Sequence, residues 1–241
     1  MKVYGASDIG LVRKENQDAF IVGESDGFAY AVVCDGMGGA NGGSVASELA
    51  ADVVAKRISA AAKSSDLKFV MLSAITAANI SVYEKSRSDK SLEGMGTTIV
   101  AAAVRDGTLH IAHAGDSRAY ISEEKGFTRL TRDHSVVQEL LESGELSPDQ
   151  AQNYPNRNLI TRALGVAPVL DADYSEYYLP EKYTVLLCTD GVTNLVDDKE
   201  LSGFAEKPLT EAVDGIIDLA IKRGGTDNAT AAMIRSNSME G

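Results

Sequence analysis

The chain has 241 residues, 44% of them hydrophobic and 24% charged, an ordinary globular composition for which disorder of the whole chain is not expected. Its 23 Lys+Arg against 35 Asp+Glu leave a formal net charge of −12, which argues against a general nucleic-acid binder, because phosphate contacts need a basic surface. No apolar run approaches the roughly 18 residues that span a bilayer. The N-terminus MKVYGASDIG has no apolar signal core, and two cysteines, Cys34 and Cys188, are too few for a disulfide framework, so the chain reads as soluble and cytoplasmic, in a reducing compartment.

No repeat, low-complexity tract or linker divides the chain, which predicts a single domain over residues 1–241. Residues 19–22 and 28–34 are apolar and β-rich around turn residues at 23–27, the pattern of a hairpin. From Ser44 to about Ala62, Val45, Leu49, Val53 and Ile58 recur near helical spacing, with Glu48, Asp52, Lys56 and Arg57 on a wetter side. A second helix is predicted after Asp66 as N-cap, with Phe69, Leu72, Ile75 and Ile80 in its apolar stripe. Strands 97–104 and 108–114 flank Asp106-Gly107, a dipeptide typical of tight hairpin turns. Further strands are predicted at 118–122, 127–131, 174–179, 184–189 and 228–234.

The stretch 133–165 differs, with short helical patterns at 136–141 and after Ser147, then polar Asn153, Asn156, Arg157 and Asn158, and it reads as a surface excursion. Residues 209–222 form a last helix through Leu209, Val213, Ile216, Ile217 and Ala220, stopped by Gly224-Gly225. Strands in hairpins with helices in pairs predict an α+β layered sandwich, not a doubly wound βαβ fold.

Asp35 and Asp190 each follow an apolar strand and precede glycine, and Asp116 repeats the position after 110–115. Asp18 and Asp227 stand instead where strands begin. In an antiparallel pair the start of one strand lies beside the end of its partner, so the first hairpin brings Asp18 next to Asp35. Pairing of 228–234 with 184–189 would bring Asp227 to Asp190 in the same way. Four or five carboxylates around one cavity repel one another unless cations or protons intervene. Oxygen ligands with almost no nearby His or Cys select Mg²⁺ or Mn²⁺, and Ca²⁺ less well. Taken singly, each Asp-Gly is also simply a turn signal. Arg13 is a candidate bidentate phosphate donor, set against the commoner reading of a lone surface charge.

The ordered segments Ser7-Asp8-Ile9-Gly10-Leu11-Val12-Arg13-Lys14-Glu15-Asn16-Gln17-Asp18, Val33-Cys34-Asp35-Gly36-Met37-Gly38-Gly39, Gly96-Thr97-Thr98, Gly115-Asp116-Ser117-Arg118, Thr189-Asp190-Gly191 and Gly225-Thr226-Asp227-Asn228-Ala229-Thr230 resemble the successive motifs of the metal-dependent protein phosphatases of type 2C. The likeness runs from about residue 3 to residue 235. It implies a four-layer α-β-β-α sandwich, two mainly antiparallel sheets flanked by helix pairs, that hydrolyses phosphoserine and phosphothreonine in proteins with Mn²⁺ or Mg²⁺. By that resemblance Asp35 bridges two metals, the Gly36 carbonyl completes one shell, and Asp190 and Asp227 hold the other metal. Asp18 acts through metal-bound water, Arg13 binds the substrate phosphate, and Asp116 with Asp190 supplies the third metal position of bacterial-type members. Residues 133–165 match the flap beside the cleft. The implied reaction is direct attack by a metal-bridging hydroxide, and the implied partners are phosphorylated proteins and an opposing Ser/Thr kinase. Met37 stands where eukaryotic members carry a His proposed as general acid, and Gln17 where others carry Glu.

Other motifs are weaker. Neither cysteine has the Arg of a Cys-x5-Arg phosphatase loop, since positions 40 and 194 are Ala and Asn. Asp171-Ala172-Asp173 has the Asp-x-Asp spacing of another phosphatase class but lacks its following Thr or Val, and Gly36 to Asn41 fails as a dinucleotide loop at its sixth position. His110 and His113 should face opposite sides of one strand, which favours structural roles. His134 is weighed as a catalytic acid against a hydrogen-bonding role that orders its segment. The rival functions are a two-metal nuclease or phosphodiesterase, which the net charge opposes, and an inactive metal-binding regulatory module.

Overall fold

The computed structural model describes residues 1–38, 42–61, 66–152, 154–155 and 158–239. In chain order its elements are β1 (Lys2–Asp8), β2 (Asp18–Ser25), β3 (Phe28–Met37), α1 (Gly42–Ala60), α2 (Leu67–Ser88), β4 (Gly96–Thr97), β5 (Ile99–Arg105), β6 (Thr108–Ala114), β7 (Arg118–Glu123) and β8 (Gly126–Arg129). They continue with α3 (Val136–Glu142), α4 (Pro148–Gln152), β9 (Asp173–Tyr178), β10 (Thr184–Cys188), α5 (Asp190–Thr193), α6 (Asp198–Phe204), α7 (Leu209–Lys222) and β11 (Ala229–Arg235).

One sheet has the order β1-β11-β10-β7-β8, the other β2-β3-β5-β6-β9 with β4 also on β3, and every described pairing between these strands is antiparallel. Side chains alternate across a strand, so a strand buried on both faces needs apolar residues at every position. In β3, Ala31 and Val33 pack between the sheets with Val185, Leu187 and Ile234, whereas Val32 and Cys34 pack under α1 and α2 with Ile58, Met71 and Ile75. Leu186, Cys188 and Met233 face outward from the first sheet onto Leu201 of α6 and Val213 and Ile216 of α7. These three apolar layers define the α-β-β-α sandwich.

The predicted hairpins are present. Asp106 and Gly107 both adopt positive φ, 51° and 72°, as a tight turn with matching strand twist requires. The N-cap is also where Asp66 was placed, its side chain accepting from the Phe69 amide at 3.3 Å.

Two helix faces differ from expectation. Phe69 and Ile80 are 71% and 44% exposed, whereas Ile75 is buried as predicted, and α2 buries Leu67, Met71, Ala74, Ala78 and Val82 beside it. That stripe has proper helical spacing but contains two alanines, Ala74 and Ala78, which a reading weighted by large side chains passes over. In α1 the fully buried face is Ala46, Ala50, Ala51, Val54, Ala55 and Ile58, with Val45, Leu49 and Val53 half-buried along its edge. Ala62, the expected end of α1, lies outside the described residues.

β1 was not anticipated. It has no local hairpin partner, and its place comes from pairing with β11, Lys2 opposite Arg235 through Asp8 opposite Ala229. Nor was α6, although Asp197 and Glu200 form a reciprocal capping box that the sequence displays. In the stretch 133–165, α3 is capped by Ser135, a bridge from Ser135 to Ile160 joins the two ends of the stretch, and the bridge from Thr97 to Leu164 and the His134 amide on the Gly115 carbonyl at 2.9 Å tie them to the body. Asn153, Asn156 and Arg157 lie outside the described residues.

Candidate functional site

The antiparallel register sets Asp18 of β2 directly opposite Asp35 of β3. In the other sheet, β10 and β11 pair through Cys188 and Ala231, so the chain leaving β10 at Asp190 meets the chain entering β11 at Asp227. Each pair thus falls at the end of its own sheet, and the sheets stack face to face. β3 does not end at Asp35 as expected. It runs on to Met37, exchanging β5 for β4, with Gly36 opposite Thr97.

Threonines lock the Asp35 backbone: its amide donates to Thr98 Oγ1 at 3.0 Å, and its carbonyl accepts from the Thr98 amide at 2.8 Å and Thr97 Oγ1 at 2.9 Å. Gly36 follows because there is no room for a side chain; a Cβ would lie 2.1 Å from the Gly43 carbonyl oxygen at the start of α1.

A cavity of about 270 Å³ opens here, lined by Arg13, Asp35, Gly36, Met37, Asp116, Asp190 and Asp227, with Gln17, Thr98, Asn158 and Ile160 among the rest. Asp18 lies beneath this wall, not on it. Its Oδ2 accepts from Thr189 Oγ1 at 2.9 Å and Thr230 Oγ1 at 2.6 Å, while its Oδ1 is buried with no hydrogen-bond partner. Arg13 is half-exposed on the rim, its Nη2 donating to Asp227 Oδ2 at 2.7 Å. Asn228 fixes the loop that carries Arg13, donating to the carbonyls of Ile9 and Glu15 at 2.8 and 3.0 Å and accepting from the Gln17 amide at 2.8 Å.

Electrostatically the cluster is uncomfortable. Burial pushes the Asp18 carboxyl up to about 7, against two threonine hydroxyls that lower it, with Asp190 and Asp227 adding repulsion. Burial and Asp190 likewise raise Asp116 to about 7. Asp35 stands well above the ordinary carboxylate range through burial and the charges of Asp18, Asp190 and Asp116, and burial with Asp227 raises Asp190.

These residues fit a divalent cation. An orphaned buried carboxylate oxygen is costly unless something positive approaches it, and the described lining residues offer oxygen donors without His or Cys, the set that hard ions take.

A different trio, His113, His134 and Asp173, brings ligand-type atoms within 4.8 Å of one another. Arg162 Nη1 already lies 2.8 Å from Asp173 Oδ1 and 3.3 Å from His134 Nε2, so a guanidinium supplies the positive charge there. His134 is buried away from the cavity, accepting from the Gly115 amide at 3.2 Å and stacking on His113 with ring centroids 4.8 Å apart. It orders the loop before Asp116. His110 points elsewhere, to the Tyr174 hydroxyl at 2.7 Å. Cys34 and Cys188 are buried in their strands, and burial raises both thiols, Cys188 to about 12.

The sequence reasoning named the carboxylates but missed the threonine clamp on Asp18 and the role of Asn228. Only the motif positions flanking Asp190 and Asp227 offered a signal for them.

Residues 12–220 match the family described as protein phosphatase 2C. The serine/threonine phosphatase stp of Listeria welshimeri is 35% identical over 240 residues, spanning 97% of this chain and 95% of that protein. The crystal structure of the Mycobacterium tuberculosis serine/threonine phosphatase PstP/Ppp superposes with a TM-score of 0.91 at 31% identity, covering 98% of both chains. The catalytic domain of PstP in complex with two manganese ions superposes with a TM-score of 0.88 at 30% identity, covering 98% of this chain and 98% of that one. This chain belongs to the protein phosphatase 2C family.

Proposed function

We propose that the chain is a metal-dependent protein serine/threonine phosphatase that hydrolyses phosphoserine and phosphothreonine with Mn²⁺ or Mg²⁺, using Asp18, Asp35, Gly36, Asp116, Asp190, Asp227 and Arg13. The observation that carries this assignment of residues is the unpartnered Asp18 Oδ1 buried beneath a cavity walled by four more aspartates. Asp35 with the Gly36 carbonyl, and Asp190 with Asp227, would hold two ions, and Asp116 with Asp190 a third. Bound there, such ions neutralise charge on a phosphoryl group and lower the pKa of a coordinated water.

The protein's own groups do the remaining work. Thr189 and Thr230 hold Asp18 Oδ2, which leaves Oδ1 as the acceptor that orients a water under the cavity. Arg13 uses one nitrogen on Asp227 and has the rest of its planar fork for phosphate oxygens. Met37, on the cavity wall, has no proton to donate to the leaving oxygen.

We read residues 1–241 as one catalytic domain, residues 133–165 as its substrate-selecting flap, an opposing Ser/Thr protein kinase as its partner, and the cytoplasm as its compartment. No described helix is long and apolar enough to cross a membrane.

The test is phosphate release from a phosphothreonine peptide with Mn²⁺, with a phosphodiester and a metal-free reaction as controls. Asp35→Asn and Asp190→Asn should each lower turnover by about a thousandfold, the scale of losing a principal transition-state contact. Near-normal rates in either variant would remove that residue from the machinery, and preferential cleavage of the diester would favour the nuclease reading.

A further inference from the structure

A second pocket, of about 310 Å³, opens beside the metal cavity and shares Asp116, Asn158 and Asp190 with it. Because the two pockets share lining residues, a peptide whose phosphate occupied the first would bring its neighbouring residues near the second. We propose that this pocket, under α3, is a subsite for an acidic side chain of the substrate flanking the phosphorylated residue, and that Arg129 is the residue that recognises it. The proposal rests on the phosphatase reading above.

Two features set its chemistry. α3 has no fully buried residue, and its Val137 and Leu141 form one wall of the pocket, suited to the methylene stem of a side chain. The lining also holds two arginines, Arg118 and Arg129, around Asp133. Arg118 grips Asp133 with three hydrogen bonds, at 3.0, 3.1 and 2.7 Å, and so occupies that carboxylate. Arg129 reaches the same Asp133 oxygen only at 3.5 Å and Gln138 Oε1 at 3.4 Å, both at the long limit of hydrogen bonding. Two guanidinium groups therefore share one carboxylate, and Arg129 keeps donors for a ligand. The other described carboxylates of the lining, Asp116 and Asp190, belong to the metal cavity as well. Glu142, whose carboxyl feels the Arg129 charge, lies outside the pocket lining, and a planar guanidinium with spare donors whose lining carboxylate is held by a second guanidinium selects a carboxylate.

The experiment uses the full chain with Mn²⁺ and a set of phosphothreonine peptides carrying Glu, Ala or Lys at each flanking position in turn. At one or more positions Glu should raise kcat/KM about fivefold over Ala, the scale of one partly exposed ion pair, acting through KM and shrinking at high salt. Arg129→Gln should abolish the Glu/Ala ratio, and Arg129→Glu should turn the preference toward Lys. The Ala peptide reports folding and basal chemistry in each variant, and Arg129→Lys, which keeps charge without the fork, should retain part of the preference. Equal Glu/Ala ratios in the unaltered protein and Arg129→Gln, or no position at which Glu is preferred, would overturn the subsite. Failure of the unaltered protein on every phosphothreonine peptide would overturn the phosphatase reading itself, and the subsite with it.

Discussion

Asp18 offers a quantitative test, because its predicted role makes it a liability to the metal-free fold. Its carboxyl is raised from the ordinary 3.8 to about 7, chiefly by burial. An acid whose folded pKa is raised binds more protons in the folded than in the unfolded state between those two values, so stability is complete below about pH 4 and falls as pH rises through 7. At ~1.4 kcal/mol per pH unit the penalty above pH 7 is about 4 kcal/mol.

Asp18→Asn removes the charge and keeps an acceptor for the hydroxyls of Thr189 and Thr230, but places an NH₂ where Oδ1 had no partner. That unsatisfied donor costs about 2 kcal/mol. The variant should therefore be more stable by about 2 kcal/mol at pH 8, or about 4–8 °C in Tm for a chain of this size, and less stable than the unaltered protein at pH 5, where Asp18 is already protonated. The assay is thermal unfolding of chelator-treated protein across that range. A Tm independent of pH between 5 and 8 in the unaltered protein, or an Asn variant that loses equally at both pH values, would refute the account of Asp18 as a buried, repelled charge.

The remaining predictions are more direct. Arg13→Ala should raise KM for a phosphothreonine peptide about tenfold with a smaller change in kcat, as loss of a phosphate-binding donor does; steady-state kinetics with both parameters unchanged would remove Arg13 from that role. Thr230→Val deletes the 2.6 Å donor to Asp18 and should weaken Mn²⁺ binding by about tenfold in calorimetric titration. Gly36→Ala sets a Cβ 2.1 Å from the Gly43 carbonyl and should cost about 3 kcal/mol in denaturant unfolding. On α2, Ile75→Ala should cost about 3 kcal/mol and Phe69→Ser less than about 0.5 kcal/mol, since the first is buried and the second lies in solvent.

How much was legible follows from the range of the interactions involved. Of the Asp-Gly dipeptides, those at 35–36, 106–107 and 190–191 sit beside strand ends, and the structure gives them two meanings. At 106–107 it is a turn, both residues at positive φ. At the other two sites the glycine is needed for close approach: a Cβ on Gly191 would lie 1.9 Å from the Asn228 carbonyl, as one on Gly36 would crowd Gly43. An apolar strand precedes all three, and what differs is the sequel: a second strand, Thr108–Ala114, starts at once after Gly107, whereas none starts directly after Gly36 or Gly191, where Asp35 and Asp190 are delivered to the layer's end. Hairpin register then gave neighbours, as with Asp18 opposite Asp35. It did not give depth. That Asp18 sits beneath the cavity depends on Thr189 and Thr230, which lie 171 and 212 residues away in the chain, and no local pattern encodes such contacts. The face of α2 failed for a related reason, since Ala74 and Ala78 are buried by close packing on the sheet and carry little hydrophobic weight of their own.

The architecture itself makes the carboxylates converge. Each sheet brings its own pair of aspartates together at one strand end, and burying the apolar layer between the sheets forces the two pairs into the same space. Hydrophobic burial thereby offsets a repulsion that the fold creates, recorded in the raised carboxyls of Asp18, Asp35, Asp116 and Asp190. A divalent cation relieves that repulsion, and a proton relieves it too, so the two compete for the same oxygens. The strain that weakens the metal-free fold above neutral pH is thus the same free energy that favours cation binding there, and substitutions that ease the one reduce the other.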